Sequence, residues 1–381
     1  MRIAIDIGLM SEERSGGGNY LFNLVKYLAE IDKVNRYIGY GFFFKSFDSK
    51  LSRIEFPRQR NFDLRIKRFP ACLLNFSYSY FGYNLESMIS RVDVVHCLGS
   101  SVPRVRTARL LVTIFDLIPL LFRDFHTSCG RREGQKQARR AAERAERIIT
   151  ISNSSKMDII RLLHVPAEKI VVIPLAAGAL YRRINDSEKM KRFKEKYNLR
   201  REYILYVGTL EPRKNIVNLL RAYSRLIREH ADVKEQLIII GKKGWLYADI
   251  FKEVKKLKLE NRVIFTGYVP DEDIVLFYNC AGLFIYPSLY EGFGLPVLEA
   301  MACGTPVITS NRSSLPEIAG DASKLIDPEN GEEIAQALYE VLIDDRLRLQ
   351  MSEKGLERAK LFCWEKTAQR TLKVYEEMGK T

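Results

Sequence analysis

The chain has 381 residues, of which 46% are hydrophobic and 28% are charged, and its formal net charge is +14. This length suits two domains better than one, and the composition excludes a disordered or fibrous protein. The positive charge predicts an anionic partner, for which nucleic acid, an anionic membrane surface and phosphorylated small molecules are all candidates.

The start of the chain shows no signal-peptide pattern, and no apolar run in the sequence is long enough to span a bilayer. The six cysteines have no metal-ligand spacing. We therefore expect a cytoplasmic protein with reduced thiols.

The first predicted unit is a strand, a glycine loop and a helix. Residues 2–7 alternate as a strand does, and residues 21–28 place their apolar side chains on one helical face. Gly17 and Gly18 stand in the loop between them. Such a loop can cradle a phosphate, but a plain turn explains these glycines equally well.

Two later stretches of the first half are basic. Residues 45–70 are rich in arginine and are followed by aromatic residues at 75–84. This pattern suits an anionic membrane surface, and a solvated edge over an aromatic core explains it equally well. Residues 131–147 form a basic helix in which glutamates are interleaved, which favours a solvated face over nucleic-acid binding.

Two apolar runs, 93–98 and 110–116, are predicted to be buried parallel strands. His96 within the first run is more typical of a core histidine than of a catalytic one. Asp116 ends the second run, at the carboxyl end of the predicted strand, where its carboxylate could accept a hydrogen bond from a ligand. His126, which lies further along the sequence, is a more distant candidate for contact with the same ligand.

The pattern of a strand, a loop and a helix that opens the chain then starts again after a charged linker at 188–201. Residues 203–207 are predicted to form a strand, and Asn215 is expected to cap the next helix. Arg213 and Lys214 therefore lie between a strand's carboxyl end and a helix N-terminus. Two cations and free amides in that place would stabilise a diphosphate. We favour this interpretation over a plain surface Arg-Lys pair, because the strand end, the helix start and the charge coincide.

The stretch FIYPSLYEGFGLPVLEAMACGTPVITSN, residues 284–311, predicts a strand, a loop, a short helix and a second strand. Glu291 lies in the loop, and Glu299 is expected in the first turn of a helix that opens at Pro296. The glycines around Glu291 allow a backbone to approach a ligand closely. A carboxylate that only complements the helix dipole is the alternative for Glu299.

This stretch, with its continuation to SSLPEIAGDA, resembles the E-x7-E signature of the family 4 retaining glycosyltransferases of GT-B fold, and weaker similarity covers nearly the whole chain. The resemblance implies an α/β protein with two Rossmann-like parallel-sheet domains facing each other across a cleft. The acceptor-side domain would be 1–185, joined by a C-terminal helix at 364–381, and the nucleotide-sugar donor domain would be 200–363.

The resemblance also implies residue roles. Glu291 would contact the donor sugar and Glu299 the ribose, while Arg213 and Lys214 would hold the diphosphate. Asp116 is a further catalytic candidate, although many relatives have a histidine where this chain has Phe115. The donor-binding candidates beside these are Gly17, Gly18, Gly208, Val269, Gly292, Phe293, Gly294, Leu295 and Leu298, with the backbone near Val269 holding the nucleobase.

The implied reaction is transfer with retention at the anomeric carbon, with neither a cofactor nor a metal. The leaving phosphate oxygen can take the acceptor proton, so no dedicated protein base is expected. The runs TIFDLIPLL, GKKGW and SSLPEIAGDA look most like mannosyltransferases of bacterial surface polysaccharide synthesis. We therefore predict GDP-mannose as the donor and a lipid-linked or oligosaccharide acceptor at the cytoplasmic face of the inner membrane.

Several alternatives stay open from the sequence. The donor could be a UDP- or dTDP-sugar, and a phosphorylase or epimerase could share the fold. A non-catalytic partner subunit is conceivable because of Phe115, and a basic nucleic-acid-binding protein would also explain the charge. We expect no nucleic-acid partner.

Overall fold

The structure of the protein is a computed structural model that describes residues 1–12, 16–70, 84–99, 102–122, 128–199 and 201–380. Within it the chain divides into two compact units, Met1–Leu175 with Cys363–Thr381, and Ala176–Phe362. The sequence places the end of the first domain at 185, whereas the structure places it at Leu175. The aromatic residues at 75–83 and His126 lie outside the described ranges.

The first unit is built on a parallel sheet, and its described strands have the order β3-β2-β1-β4-β5-β6-β7. β4 and β5 are almost wholly buried, as their apolar sequences predict. The strands are β1 (Arg2–Asp6), β2 (Arg36–Phe43), β3 (Phe62–Arg68), β4 (Val94–Leu98), β5 (Arg109–Thr113), β6 (Arg147–Thr150) and β7 (Ile170–Val172).

Helices of the first unit flank this sheet. They are α1 (Gly16–Ile31), α2 (Phe47–Ser52), α3 (Leu85–Ile89), α4 (Ile118–Leu121), α5 (Ser128–Arg144) and α6 (Asn153–Leu163). The basic helix thus ends at Arg144, and Arg147 already belongs to β6. α1 buries Leu21, Leu24 and Leu28, which confirms the apolar face predicted from their spacing.

The second unit is also built on a parallel sheet, with its described strands in the order β10-β9-β8-β11-β12-β13. The strands are β8 (Tyr203–Val207), β9 (Gln236–Ile240), β10 (Val263–Gly267), β11 (Leu283–Tyr286), β12 (Val307–Ser310) and β13 (Ser323–Ile326). β8 and β11 are neighbours at the centre, so the loops that follow them meet at one edge of the sheet.

The second unit contains helices α7 (Ser187–Lys196), α8 (Ile216–Glu229), α9 (Ala248–Lys256), α10 (Asp271–Cys280), α11 (Leu295–Ala302), α12 (Leu315–Ala319), α13 (Gly331–Ile343) and α14 (Asp345–Ala359). The prediction of a linker at 188–201 is therefore wrong for most of its length. Asp186 caps α7, and Phe193 anchors it because its ring packs edge-on against Phe277, with 4.8 Å between the ring centroids.

The last helix, α15 (Trp364–Lys380), belongs to the first unit, where it packs beside α1. Its buried face includes Tyr375, whose hydroxyl lies 2.6 Å from Nδ1 of His96 in β4. Across the described ranges, no helix combines the length and the apolar composition that crossing a membrane requires.

Candidate active site

The adjacent strands β8 and β11 bring two predicted cations and one predicted carboxylate together. After β8, the turn Pro212–Lys214 ends at Asn215, which has a positive φ of 60°. Asn215 donates hydrogen bonds from its side-chain amide to the carbonyls of Pro287 and Pro328, so it ties this turn to the loop after β11. Arg213 and Lys214 are thereby held against the loop that carries Glu291.

The two cations and two carboxylates form a cluster, which we call the charge cluster: Glu211, Arg213, Lys214 and Glu291. The Glu291 carboxylate accepts at Oε1 from Lys214 Nζ, at 2.6 Å, and at Oε2 from Arg213 Nη1, at 3.0 Å. The second guanidinium nitrogen of Arg213 donates to Glu211 Oε1 at 2.6 Å. The formal charges within the cluster sum to zero.

Burial makes these ion pairs strong, because each side chain of the charge cluster is at most 10% exposed. Burial alone would raise the pKa of the Glu291 carboxyl, but the charges of Lys214 and Arg213 outweigh it and lower that pKa to about 2. For the Lys214 ammonium, burial lowers the pKa against the opposing charge of Glu291. The cluster is thus a preorganised set of charges at the carboxyl edge of the sheet.

Two further side chains hold this cluster, and sequence reasoning missed both. Lys214 Nζ donates to the Tyr286 hydroxyl at 2.5 Å, and the Ser288 hydroxyl donates to Glu291 Oε1 at 2.6 Å. Glu211 was missed as well. The position of Tyr286 at the end of β11 was a usable signal, whereas the direction of a loop side chain such as Ser288 follows only from the folded loop.

The backbone of the Glu291 loop is fixed by the segment after β12. The Glu291 N–H donates to the Ser313 hydroxyl at 2.9 Å, and the Ser314 hydroxyl donates to the carbonyls of Glu291 and Phe293. Gly294 closes the loop with a φ of 110°, where a Cβ would lie 2.6 Å from Leu315 Cδ2. A glycine is therefore required at this position.

Glu299 lies in α11, and its position differs from the prediction. The helix begins at Leu295, so Pro296 is its second residue and Glu299 is in its second turn rather than its first. The Tyr278 hydroxyl donates to Glu299 Oε2 at 3.2 Å, and Tyr181 also hydrogen-bonds to this carboxyl. Burial raises the pKa of Glu299 to about 7, although the Tyr278 hydrogen bond lowers it.

The remaining donor-binding candidates of the second unit divide into two kinds. Val269, Phe293 and Leu298 are almost fully buried, so these residues belong to the core of the unit. Gly208 directly follows β8, and a Cβ there would come 2.8 Å from the Tyr206 hydroxyl. Gly292 is buried in the Glu291 loop.

The predicted residues of the first unit gather at a cavity of about 290 Å³ at the carboxyl ends of its strands. Gly17, Phe115 and Asp116 line this cavity, and Gly18 is buried beside it in α1. The Asp116 carboxylate accepts a hydrogen bond from the Ile118 N–H at 3.1 Å. Phe115 packs edge-on against Tyr20, with 5.2 Å between the ring centroids.

Two other expectations concern His96 and metals. His96 is the core histidine that the sequence favours: it is 1% exposed, both ring nitrogens contact hydroxyls, and burial lowers its pKa to about 3. Among the described residues, no three histidine, cysteine or carboxylate side chains lie close enough together to hold a metal ion. Metal-independent catalysis stays a prediction.

Two family models match the chain, one in each half. The model for glycosyltransferase family 4 matches residues 14–176, and the model for glycosyl transferases group 1 matches residues 187–358. The second match contains the charge cluster and α11. The two matches together leave little of the chain uncovered.

Curated relatives include mannosyltransferases of Escherichia coli. The O-antigen chain mannosyltransferase B is 38% identical over 272 residues, which are 71% of this chain and 71% of that protein. The serotype-specific mannosyltransferase WbdA is 33% identical over 256 residues, which are 66% of this chain but 31% of that longer protein.

Solved structures share the whole fold at low sequence identity. Sucrose-phosphate synthase from Thermosynechococcus elongatus has a TM-score of 0.74 at 19% identity and covers 99% of this chain and 98% of its own. The Anabaena protein HepE, in complex with UDP and glucose, has a TM-score of 0.73 at 17% identity and covers 99% of this chain and 100% of its own. From its sequence relatives and its two parallel-sheet units, the chain belongs to the family 4 glycosyltransferases with the GT-B fold.

Proposed function

We propose that the protein transfers a mannosyl group from GDP-mannose, with retention at the anomeric carbon, onto a lipid-linked or oligosaccharide acceptor in surface polysaccharide synthesis. The similarity to two E. coli mannosyltransferases, one of which acts on the O-antigen chain by its name, supports the sugar and the pathway. The observation that carries the chemistry is the contact of Glu291 with both Arg213 and Lys214.

The charge cluster supports a donor with a diphosphate leaving group. When the bond from the sugar to the phosphate breaks, negative charge grows on the leaving oxygen. Arg213 and Lys214 are preorganised cations that stabilise this charge without a metal ion, and their burial strengthens the effect. Glu291 adjoins both cations, so its carboxylate is suitably placed to accept a hydrogen bond from a sugar hydroxyl.

Retention follows if the acceptor hydroxyl attacks from the face that the diphosphate leaves. The leaving phosphate oxygen then takes the acceptor proton, and the protein supplies orientation and charge rather than a base. We propose that no cofactor or metal is required.

The acceptor and the location of the enzyme are further parts of the proposal. Edge strand β3 presents Arg65, Lys67 and Arg68 as exposed side chains, and these cations suit the anionic cytoplasmic face of the inner membrane. A lipid-linked acceptor would be reached there by peripheral contact.

A donor panel tests the proposal. The protein is incubated in EDTA with a mannose-containing lipid-linked oligosaccharide and with GDP-mannose, UDP-glucose, UDP-galactose or dTDP-rhamnose, and transfer is followed by mass spectrometry of the acceptor. We expect transfer from GDP-mannose. Transfer from a UDP- or dTDP-sugar but not from GDP-mannose would contradict the proposed donor. Loss of all transfer in EDTA, with recovery when Mg²⁺ is added, would contradict metal independence.

A further inference from the structure

Glu291 differs from Glu211, the other carboxylate of the charge cluster, in what it touches. Glu211 pairs with Arg213 through Nη2 of the guanidinium. Glu291 pairs with both cations at once, through one carboxylate oxygen each. The Glu291 carboxylate therefore lies between the Arg213 guanidinium and the Lys214 ammonium, within hydrogen-bonding distance of both.

A phosphate group would make the same contacts. Guanidinium and ammonium groups bind carboxylate and phosphate oxygens with the same charge-assisted geometry. The two oxygens of Glu291, at 2.6 Å from Lys214 Nζ and 3.0 Å from Arg213 Nη1, thus occupy positions that two phosphate oxygens would take. A donor diphosphate bound to both cations would therefore compete with the Glu291 carboxylate.

An anion in this place is needed even without a ligand. Arg213 and Lys214 are each 8% exposed, and Glu211 neutralises only one of these two charges. A buried cation left without a counter-charge destabilises a fold. Glu291 supplies the missing charge. A buried carboxylate that touches both cations therefore stabilises the unliganded protein.

The Glu291 carboxylate can move away from Arg213 and Lys214 without a change in the backbone of its loop. Ser313 and Ser314 hold the backbone of Glu291 by hydrogen bonds at both its N–H and its carbonyl. Rotation of the side chain about its own bonds is then sufficient to free both cations. The hydrogen bond from Ser288 to Oε1, at 2.6 Å, is broken in that movement.

We propose that Glu291 is a placeholder anion: its carboxylate holds Arg213 and Lys214 until the diphosphate of the donor displaces it and turns it toward the sugar. The proposal rests on the proposed function, because it requires a ligand with a diphosphate group. It adds that Glu291 opposes the binding of the diphosphate while it serves the transfer of the sugar.

The test compares Glu291→Gln with the matched variant Glu211→Gln, since each removes one negative charge from the charge cluster. Binding of GDP and of inorganic pyrophosphate is measured by calorimetry in EDTA. We expect Glu291→Gln to bind both ligands at least about tenfold more tightly than the wild type, because no carboxylate competes for the cations. Glu211→Gln should change the affinity by less than about threefold.

Transfer activity and thermal stability give independent readouts. Glu291→Gln should lose most of its transfer activity while its affinity for GDP rises, and pyrophosphate should raise its Tm more than it raises that of the wild type. If Glu291→Gln does not fold, Ser288→Ala keeps the carboxylate but weakens its hold, so GDP should bind about two- to threefold more tightly.

Two results would overturn the placeholder alone: GDP affinity unchanged or weaker in Glu291→Gln and in Ser288→Ala, or equal tightening by Glu211→Gln, which would reflect net charge only. In both cases the wild type still binds GDP, so the proposed function survives. Failure of the wild type to bind any nucleotide would overturn the donor assignment and the placeholder together.

Discussion

At the scale of single residues, the proposed chemistry depends on Arg213 and Lys214. Lys214→Ala and Arg213→Ala each remove a preorganised positive charge from the leaving diphosphate, so we expect kcat to fall by about 10²-fold or more. Lys252→Ala, which removes an ammonium that is 77% exposed on α9, serves as the control and should leave kcat unchanged. Activity of both cluster variants within about threefold of the wild type would remove them from that role.

Glu299 gives a prediction about pH. Its pKa is raised from 4.5 to about 7, so the stability that the protonated carboxyl contributes is complete below pH 4.5 and is lost as the pH rises through 7. Glu299→Gln abolishes this titration and keeps a neutral acceptor for Tyr278.

Above pH 7, the free energy of unfolding of Glu299→Gln should therefore exceed that of the wild type by on the order of 1–3 kcal/mol. The difference should shrink as the pH falls from 7, and it should level off below pH 4.5, where Glu299 is protonated in the folded and unfolded states alike. Urea unfolding at a series of pH values measures it. A difference that does not vary with pH would show that folding does not raise the pKa of Glu299.

The sequence predicts the charged residues of the site better than their partners. Arg213 and Lys214 follow directly from their place after a strand, and Glu291 and Glu299 from the spacing of the loop and from the family resemblance. Tyr181, which hydrogen-bonds to Glu299, lies far away in the sequence at the start of the second unit. No local pattern links such a pair, because only the fold brings them together.

At the scale of elements, the loop after β9 packs against the loop after β8. A Cβ at Gly241 would lie 1.9 Å from the Gly208 carbonyl oxygen, a backbone atom that cannot move without shifting the loop that leads to Arg213. We expect Gly241→Ala to lower the free energy of unfolding by about 2–4 kcal/mol and to weaken nucleotide binding.

Gly178→Ala is the matched control, since a Cβ there would make only ordinary contacts with Tyr181 at 3.6 Å. It should change stability by less than about 0.5 kcal/mol. Equal stability of the two variants would show that the loops after β8 and β9 are not closely packed.

The elements themselves were largely predictable, because strands such as β8 and β11 are short apolar runs and α1 has a regular apolar face. The exception is α7, whose sequence SEKMKRFKEK is so charged that it resembles a linker. Its one fully buried residue, Phe193, gives no periodic pattern. The contact that orders it, with Phe277 in α10, becomes visible only in the fold.

At the scale of the whole molecule, the C-terminal helix completes the first unit. Tyr375→Phe would leave Nδ1 of the buried His96 without its partner hydroxyl, so we expect a loss of about 1–3 kcal/mol in the free energy of unfolding. Tyr339→Phe, which keeps the stacking of that ring on His230 in the second unit, should be close to neutral. Equal stability of the two variants would mean that the His96 contact contributes nothing.

The central claim is metal-independent transfer of a mannosyl group with retention, and the product's stereochemistry tests it most directly. The enzyme, in EDTA, converts GDP-α-D-mannose and a synthetic lipid-linked acceptor, and NMR of the new glycosidic linkage gives the anomeric configuration. The account predicts an α-linked mannose. A β-linked product, or no product from GDP-mannose where another nucleotide sugar reacts, would contradict it.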